Sequence, residues 1–217
     1  MDLHDAVINR RSVRKFSSIR PPDDILLKII DLARWAPSHC NTQNSYFIII
    51  DEEKIKQQIV NMGGSVIIKN APVGVLVLYD NCSDNQEYLD HIQSGSAIIQ
   101  NFLLCAYAEG LATCWIAHLP KKGDLRKILR IPNTFDPIAY ILVGYPEKEI
   151  REVPRKYDLK DIIGNNVFSN NNRILNQESK SLSLKRFFRT IYYRLPTCFK
   201  RLLNPIVDRL FVKKFDN

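Results

Sequence analysis

At 217 residues with 45% hydrophobic content, the chain is long enough to bury a single-domain core and leave some length for an appendage. Its net charge of +8 is unevenly placed: residues 1–169 hold 20 basic and 20 acidic side chains, whereas residues 170–217 hold 11 and 3. A neutral body with a basic tail argues against a whole-surface nucleic-acid binder and for a tail that meets something anionic.

In chain order, the pattern predicts a short helix over Asp2 to Asn9, directly followed by Arg10-Arg11-Ser12-Val13-Arg14. Three guanidiniums and a hydroxyl in one short reach supply forked, charge-assisted donors suited to a phosphate monoester. The plainer alternative is that these cations complement the C-terminal end of the helix dipole. Residues 22–36 place Ile25, Leu26, Ile29, Leu32, Ala33 and Ala36 at helical spacing, with Pro37 closing the end. Tyr46 to Ile50 and Val73 to Tyr79 are β-branched, aromatic-rich runs that read as buried strands, with a polar helix over Glu52 to Met62 between them. Glu87 to Glu109 is helical in pattern and carries no charge between Ala97 and Ala108, so it must be covered on nearly every side, by its own domain or by a second subunit. Strands over Thr113 to Ala117 and Ile138 to Val143 flank a helix over Asp124 to Leu129. The expected fold class is α+β: a mixed central sheet flanked by helices, as a dimer.

Several chemistries lose ground. There is no GxGxxG, no GxxxxGK[ST], no GxSxG and no Cys/His spacing suited to zinc. The five cysteines form no CxxC pair and read as reduced thiols of a cytoplasmic protein. No signal-peptide pattern opens the chain, and the longest apolar stretch is too short to span a bilayer.

Four segments together resemble the FMN-dependent nitroreductase family: INRRSVRKF (8–16), WAPSHCNTQNSYF (35–47), SGSAIIQNFLLCAYAEGLATCWIA (94–117) and LRIPNTFDPIAYILVGYPEKE (129–149). The resemblance spans roughly residues 1–165. It implies an intertwined homodimer with one FMN at each end of the interface. Its implied activity is hydride transfer from NADH or NADPH, through flavin N5, to a small conjugated acceptor in ping-pong fashion. By position, Arg10, Ser12 and Arg14 would grip the FMN phosphate, with Arg11 adding backbone or ribityl contacts. Pro37, Ser38 and His39, from the partner copy, would lie along the ring, with Asn41 and Gln43 bonding its polar edges or fixing that loop. Trp115, Ile116 and Ala117 would form the strand end below the ring, and Arg155 would add another phosphate cation. No dedicated acid or base is required; His39 and His118 are the nearby candidates. Two departures, Gln43-Asn44-Ser45 where many members have Gln-Pro-Trp and no well-placed cation over Gly63 to Asn70, imply weaker FMN retention. A second reading is a catalytically silent flavin-fold protein that serves as a tethered scaffold.

A polar linker opens at residue 169, so the expected division is an FMN-binding domain over 1–168 and a basic extension over 169–217. Leu184, Phe187, Phe188, Ile191 and Leu195 share one face of a predicted helix, and Lys185, Arg186 and Arg189 the other. Residues 182–215 would dock on an anionic membrane surface, at the inner face, or in a partner's groove. The alternative has the apolar face covering the body, with the charges in water.

Overall fold

The computed structural model describes residues 2–82, 85, 87–150 and 153–167, together with 188, 191, 192, 194–196, 198–200, 202, 203 and 206 of the C-terminal stretch. Nine regular elements follow in order: α1 (Leu3–Asn9), α2 (Asp23–Ala33), β1 (Ser45–Ile50), α3 (Glu53–Asn61), β2 (Val73–Asp80), α4 (Asp90–Ala108), β3 (Ala112–Ile116), α5 (Lys122–Leu129) and β4 (Phe135–Gly144). The boundary between residues 168 and 169 and most of the basic extension lie outside the described residues.

The four strands form one sheet in the order β1-β2-β4-β3, each neighbouring pair antiparallel. The parallel pairing expected of a mixed sheet is confined to one bridge, between Ser12 and Thr113. β2 is buried along nearly its whole length because both of its faces are covered. Val73, Val75, Val77 and Tyr79 point to the side of α2 and α4, where they meet Leu26, Ile29, Ile98 and Phe102. Leu76 and Leu78 point to the other side, with Tyr140, Leu142, Ile59 of α3 and Leu125 of α5. The period-2 alternation of the strand thus builds a core on each face.

Element ends differ from the sequence reading for local reasons. α2 stops at Ala33 because Trp35 and Ala36 turn ahead of Pro37, a neighbour that disfavours helix at the preceding residue. α4 begins at Asp90, after Leu89 adopts a left-handed φ of 50°. β4 starts before Pro137, not after it. The missing N–H is tolerated because the β2–β4 register shifts between Val77 and Leu78, and β3 pairs with β4 only from Tyr140 onward.

α4 lies against the sheet where Gly95 meets Ile138; a Cβ at Gly95 would sit 2.9 Å from Ile138 Cγ1. Its buried face runs through Ile98, Ile99, Phe102, Leu103 and Ala106. The opposite side, including Gln93, Gln100 and Ala108, is exposed, with Leu104 and Tyr107 half-buried. The all-round coverage expected for this helix is therefore not completed by the described residues.

Candidate functional site

Arg10 follows directly on the last residue of α1, and its amide N–H donates to the Ala6 carbonyl. The chain then runs alongside β3: the Val13 N–H donates to the Thr113 carbonyl at 2.9 Å, and Asn70 Nδ2 donates to the Arg14 carbonyl at 3.0 Å. Ser12 and Arg14 lie close enough to Cys114 to act on its thiol, which burial nonetheless pushes up. The arginine run and the Trp115–Ile116 strand end are thereby carried on one edge of the sheet.

Arg10 and Arg11 of this run do different things. Arg11 turns back on α1, its Nη1 donating to the carbonyls of Ile8 and Arg10, the helix-end role of the plainer alternative. Its Nε is buried and has no hydrogen-bond partner among the described residues. Arg10 is half-buried, and its ionisation is lowered first by burial and then by the like charges of Arg11 and Arg155. Arg155, 145 residues further along, joins the same patch: with Arg11, Val7, Ile8, Val153 and Pro154 it lines a cavity of ≈ 480 Å³. A half-buried guanidinium such as that of Arg10, held near like charges, is costly unless an anion compensates it. A phosphate monoester is such an anion, and the forked guanidinium donors match it. The buried, unpartnered Arg11 Nε and Thr113 Oγ1 leave further hydrogen-bonding capacity close by.

The loop over residues 37–43 is built differently. Cys40, Asn41 and Gln43 have φ of 45°, 56° and 54°, three left-handed non-glycine residues in four positions. Such strain persists only where surrounding contacts over-determine it. Here Ser38 Oγ accepts from the Gln43 N–H at 3.1 Å, Gln43 Nε2 donates to Asn41 Oδ1 at 2.9 Å, and Thr42 Oγ1 lies 2.9 Å from the Tyr79 hydroxyl. His39 is held twice by Ser94 of α4, through its backbone N–H at 3.0 Å and its ring Nδ1 at 2.9 Å. Ser94 spends its own proton on the Asp90 carbonyl, so Nδ1 must be the donor. In the neutral form this tautomer leaves a lone pair on Nε2.

One chain does not bring this loop to the arginine patch. Ser12 sits at the Thr113–Val143–Val73 register, whereas the loop is anchored at Tyr79, six residues along β2 and about 20 Å away at 3.3 Å per residue. His118 is likewise engaged elsewhere: its Nε2 lies 3.2 Å from the Tyr192 hydroxyl, and its carbonyl accepts from Ser65. Lys69, the cation within Gly63 to Asn70, donates to Gln57 at 2.9 Å. Pro37 and Ala117 contribute backbone at the loop and strand ends.

A buried ion cage escaped the sequence reading. Asp136 receives Arg126 Nη2 at 2.6 Å, Asn81 Nδ2 at 3.2 Å and Lys122, with His91 Nε2 at 3.5 Å. Burial alone would push its pKa up and disfavour the carboxylate, yet these donors hold it below the usual carboxylate range. Only the repeated pairing of an acid with cations 10 to 14 residues away hints at it in sequence, and that is too common to single out.

The sequence profile of the nitroreductase family matches residues 7–63 and 61–145, more than half of the chain. The chain belongs to the nitroreductase family. Among its relatives are the iodotyrosine deiodinase of Thermotoga neapolitana, 39% identical over 183 residues, covering 70% of this chain and 93% of that protein, and the NADH dehydrogenase of Thermus thermophilus, 30% identical over 183 residues and covering 69% and 89%. Among solved structures, an oxidised iodotyrosine deiodinase bound to FMN and 3-iodo-L-tyrosine shares the fold, with a TM-score of 0.66, 23% identity and coverage of 77% of this chain and all of that one. The family is one of oxidoreductases, in keeping with the α+β layers described above.

Proposed function

We propose that this protein is an FMN-dependent oxidoreductase, in which the arginine patch beside β3 holds the FMN phosphate. The observation that carries the reading is that the half-buried Arg10 lies within electrostatic reach of Arg11 and Arg155, which together line a cavity beside α1. When bound, FMN would supply two-electron transfer at N5, taking hydride from NADH or NADPH and passing it to a small conjugated acceptor.

The protein's part is binding and orientation. Arg10, Ser12, Arg14 and Arg155 bind the phosphate, while Arg11, committed to the carbonyls at the end of α1, orients the run. The Trp115-Ile116-Ala117 strand end backs the ring and offers backbone donors to its N5 edge. The loop carrying Pro37, Ser38, His39, Asn41 and Gln43 comes from a second copy, since within one chain it lies at the far end of the sheet. The incompletely covered side of α4 and the exposed Leu27, Leu32 and Trp35 of α2 and the turn after it supply the apolar surface for that homodimer. The oxidoreductase body corresponds to residues 1–168.

The test is reconstitution of the full chain with FMN, followed by anaerobic addition of NADH or NADPH. A yellow dimer whose flavin absorbance bleaches on addition of nicotinamide, with parallel double-reciprocal plots against an acceptor, supports the reading. Flavin that binds but never bleaches indicates a silent scaffold, and a colourless monomer in excess FMN removes both. Loss of flavin on extended dialysis would accord with the Gln43-Asn44-Ser45 departure.

A further inference from the structure

The described part of the C-terminal stretch meets the body through Tyr192 and Lys200. Tyr192 is buried with its hydroxyl 3.2 Å from His118, and its ring packs edge-on against the imidazole. Lys200, a cation, is only 6% exposed; its stem lies beside Gly63, where a Cβ would be 3.5 Å from Lys200 Cδ, and its ammonium lies 5.7 Å from the Tyr192 ring centre. Beyond Pro196, Phe199, Leu202, Leu203 and Ile206 are helical and spaced i, i+3, i+4, i+7, which is one face of a helix. That face points outward, with exposures of 56%, 75%, 36% and 57%. Of the apolar face predicted over Leu184 to Leu195, Phe188 and Ile191 are exposed and Leu195 is half-buried, while Leu184 and Phe187 lie outside the described residues.

We infer that Phe199, Leu202, Leu203 and Ile206 form a docking face for an anionic lipid surface. The occupant follows from charge. The stretch over residues 170–217 carries 11 basic and 3 acidic side chains, so the same stretch of a second copy would be like-charged, whereas anionic headgroups complement that excess charge while the stripe enters the acyl boundary. No helix among the described residues is long and apolar enough to cross a membrane; the docking inferred here is peripheral. Because Tyr192 and Lys200 hold the segment on the body, docking sets the orientation of the whole domain and not only of a tether. The inference is independent of the oxidoreductase reading.

The experiment is co-sedimentation of the full chain with phosphatidylglycerol and with phosphatidylcholine vesicles, at low and high salt. Wild type is expected to partition onto phosphatidylglycerol and not phosphatidylcholine, with affinity falling as salt rises. Phe199→Glu with Leu202→Glu should weaken binding by at least about tenfold. Leu159→Glu, the same chemical change at an exposed apolar site on the body, should leave it within about twofold, since it lies outside the docking face. Unchanged thermal unfolding of the double variant keeps the comparison clean, because both side chains are exposed. Equal sedimentation of wild type and double variant, or no binding to either vesicle, overturns the inference. A larger oligomer in vesicle-free solution that the double variant dissolves assigns the stripe to a second copy and overturns it equally.

Discussion

Ser12 forms a parallel bridge with Thr113, and through it the arginine run is locked in register with the strand that ends at Trp115 and Ile116. Two segments a hundred residues apart thereby share one sheet edge, with a cationic patch at one end and an aromatic at the other. A ligand with a phosphate and a flat ring matches that layout.

Arg10 is the cation that burial and its neighbours strain most, so it gains most from a bound anion. Arg10→Ala should weaken FMN binding by about 10- to 100-fold, the worth of one charge-assisted contact at ~1.5–3 kcal/mol. Fluorescence quenching of FMN titrated with protein measures this. Wild-type affinity in the variant would remove Arg10 from the site.

Asp136 is caged by Lys122, Arg126, Asn81 and His91, and its ionised form is favoured in the folded state. Its stabilising contribution is present above the ordinary carboxylate value near ~3.9 and fades as pH falls through its lowered folded value. Asp136→Asn should cost about 2–4 kcal/mol at neutral pH by leaving the largely buried Arg126 guanidinium uncompensated. Urea unfolding at pH 7 and pH 3 should show that gap narrowing in acid; a pH-independent gap would mean that charge pairing is not its origin.

Gly74 leaves room for the ring of Tyr140, whose hydroxyl is buried and has no partner among the described residues. A Cβ at Gly74 would lie 1.9 Å from that oxygen. Gly74→Ala should therefore destabilise by about 2–3 kcal/mol, whereas Tyr140→Phe should be neutral or stabilise by up to ~1 kcal/mol. Thermal unfolding of both variants tests this pair of opposite signs.

Ser94 fixes His39 by two hydrogen bonds and supports a loop with three left-handed residues. Ser94→Ala should release that loop, raising the FMN dissociation constant by roughly tenfold for the ~1–2 kcal/mol of bonding lost, with a smaller change at the arginine patch. A phosphate-only probe such as inorganic phosphate, read by calorimetry, should bind the variant as it binds wild type. An equal loss for phosphate and FMN would place Ser94's effect in the fold and not in the loop.

Much of the layering is legible in the sequence. The alternating and continuous apolar runs of β1 and β2 and the 3.6-residue spacing of α2 are local signals, and each specifies its own element because the pattern repeats within a few residues. The arginine run and its helix-end position were visible for the same reason. The first residues of β4, up to Pro137, are not legible locally, since a proline inside a strand is tolerable only where a bulge or an unpaired edge receives it, and pairing partners are not written in the local sequence.

The sequence by itself determined the order of helices and strands, the family, and the confinement of excess positive charge to the last 48 residues. Tertiary structure alone decided that Arg155 stands beside Arg10 and Arg11, that the His39 loop lies at the opposite end of the sheet, that Asp136 is caged, and that the stripe beyond Pro196 faces outward. The physical reason is common to all four: each depends on register, sidedness and long-range packing, which arise when distant segments compete to cover one another's surface. Periodicity along the chain records which face of an element is apolar, and only the assembled fold records what that face meets.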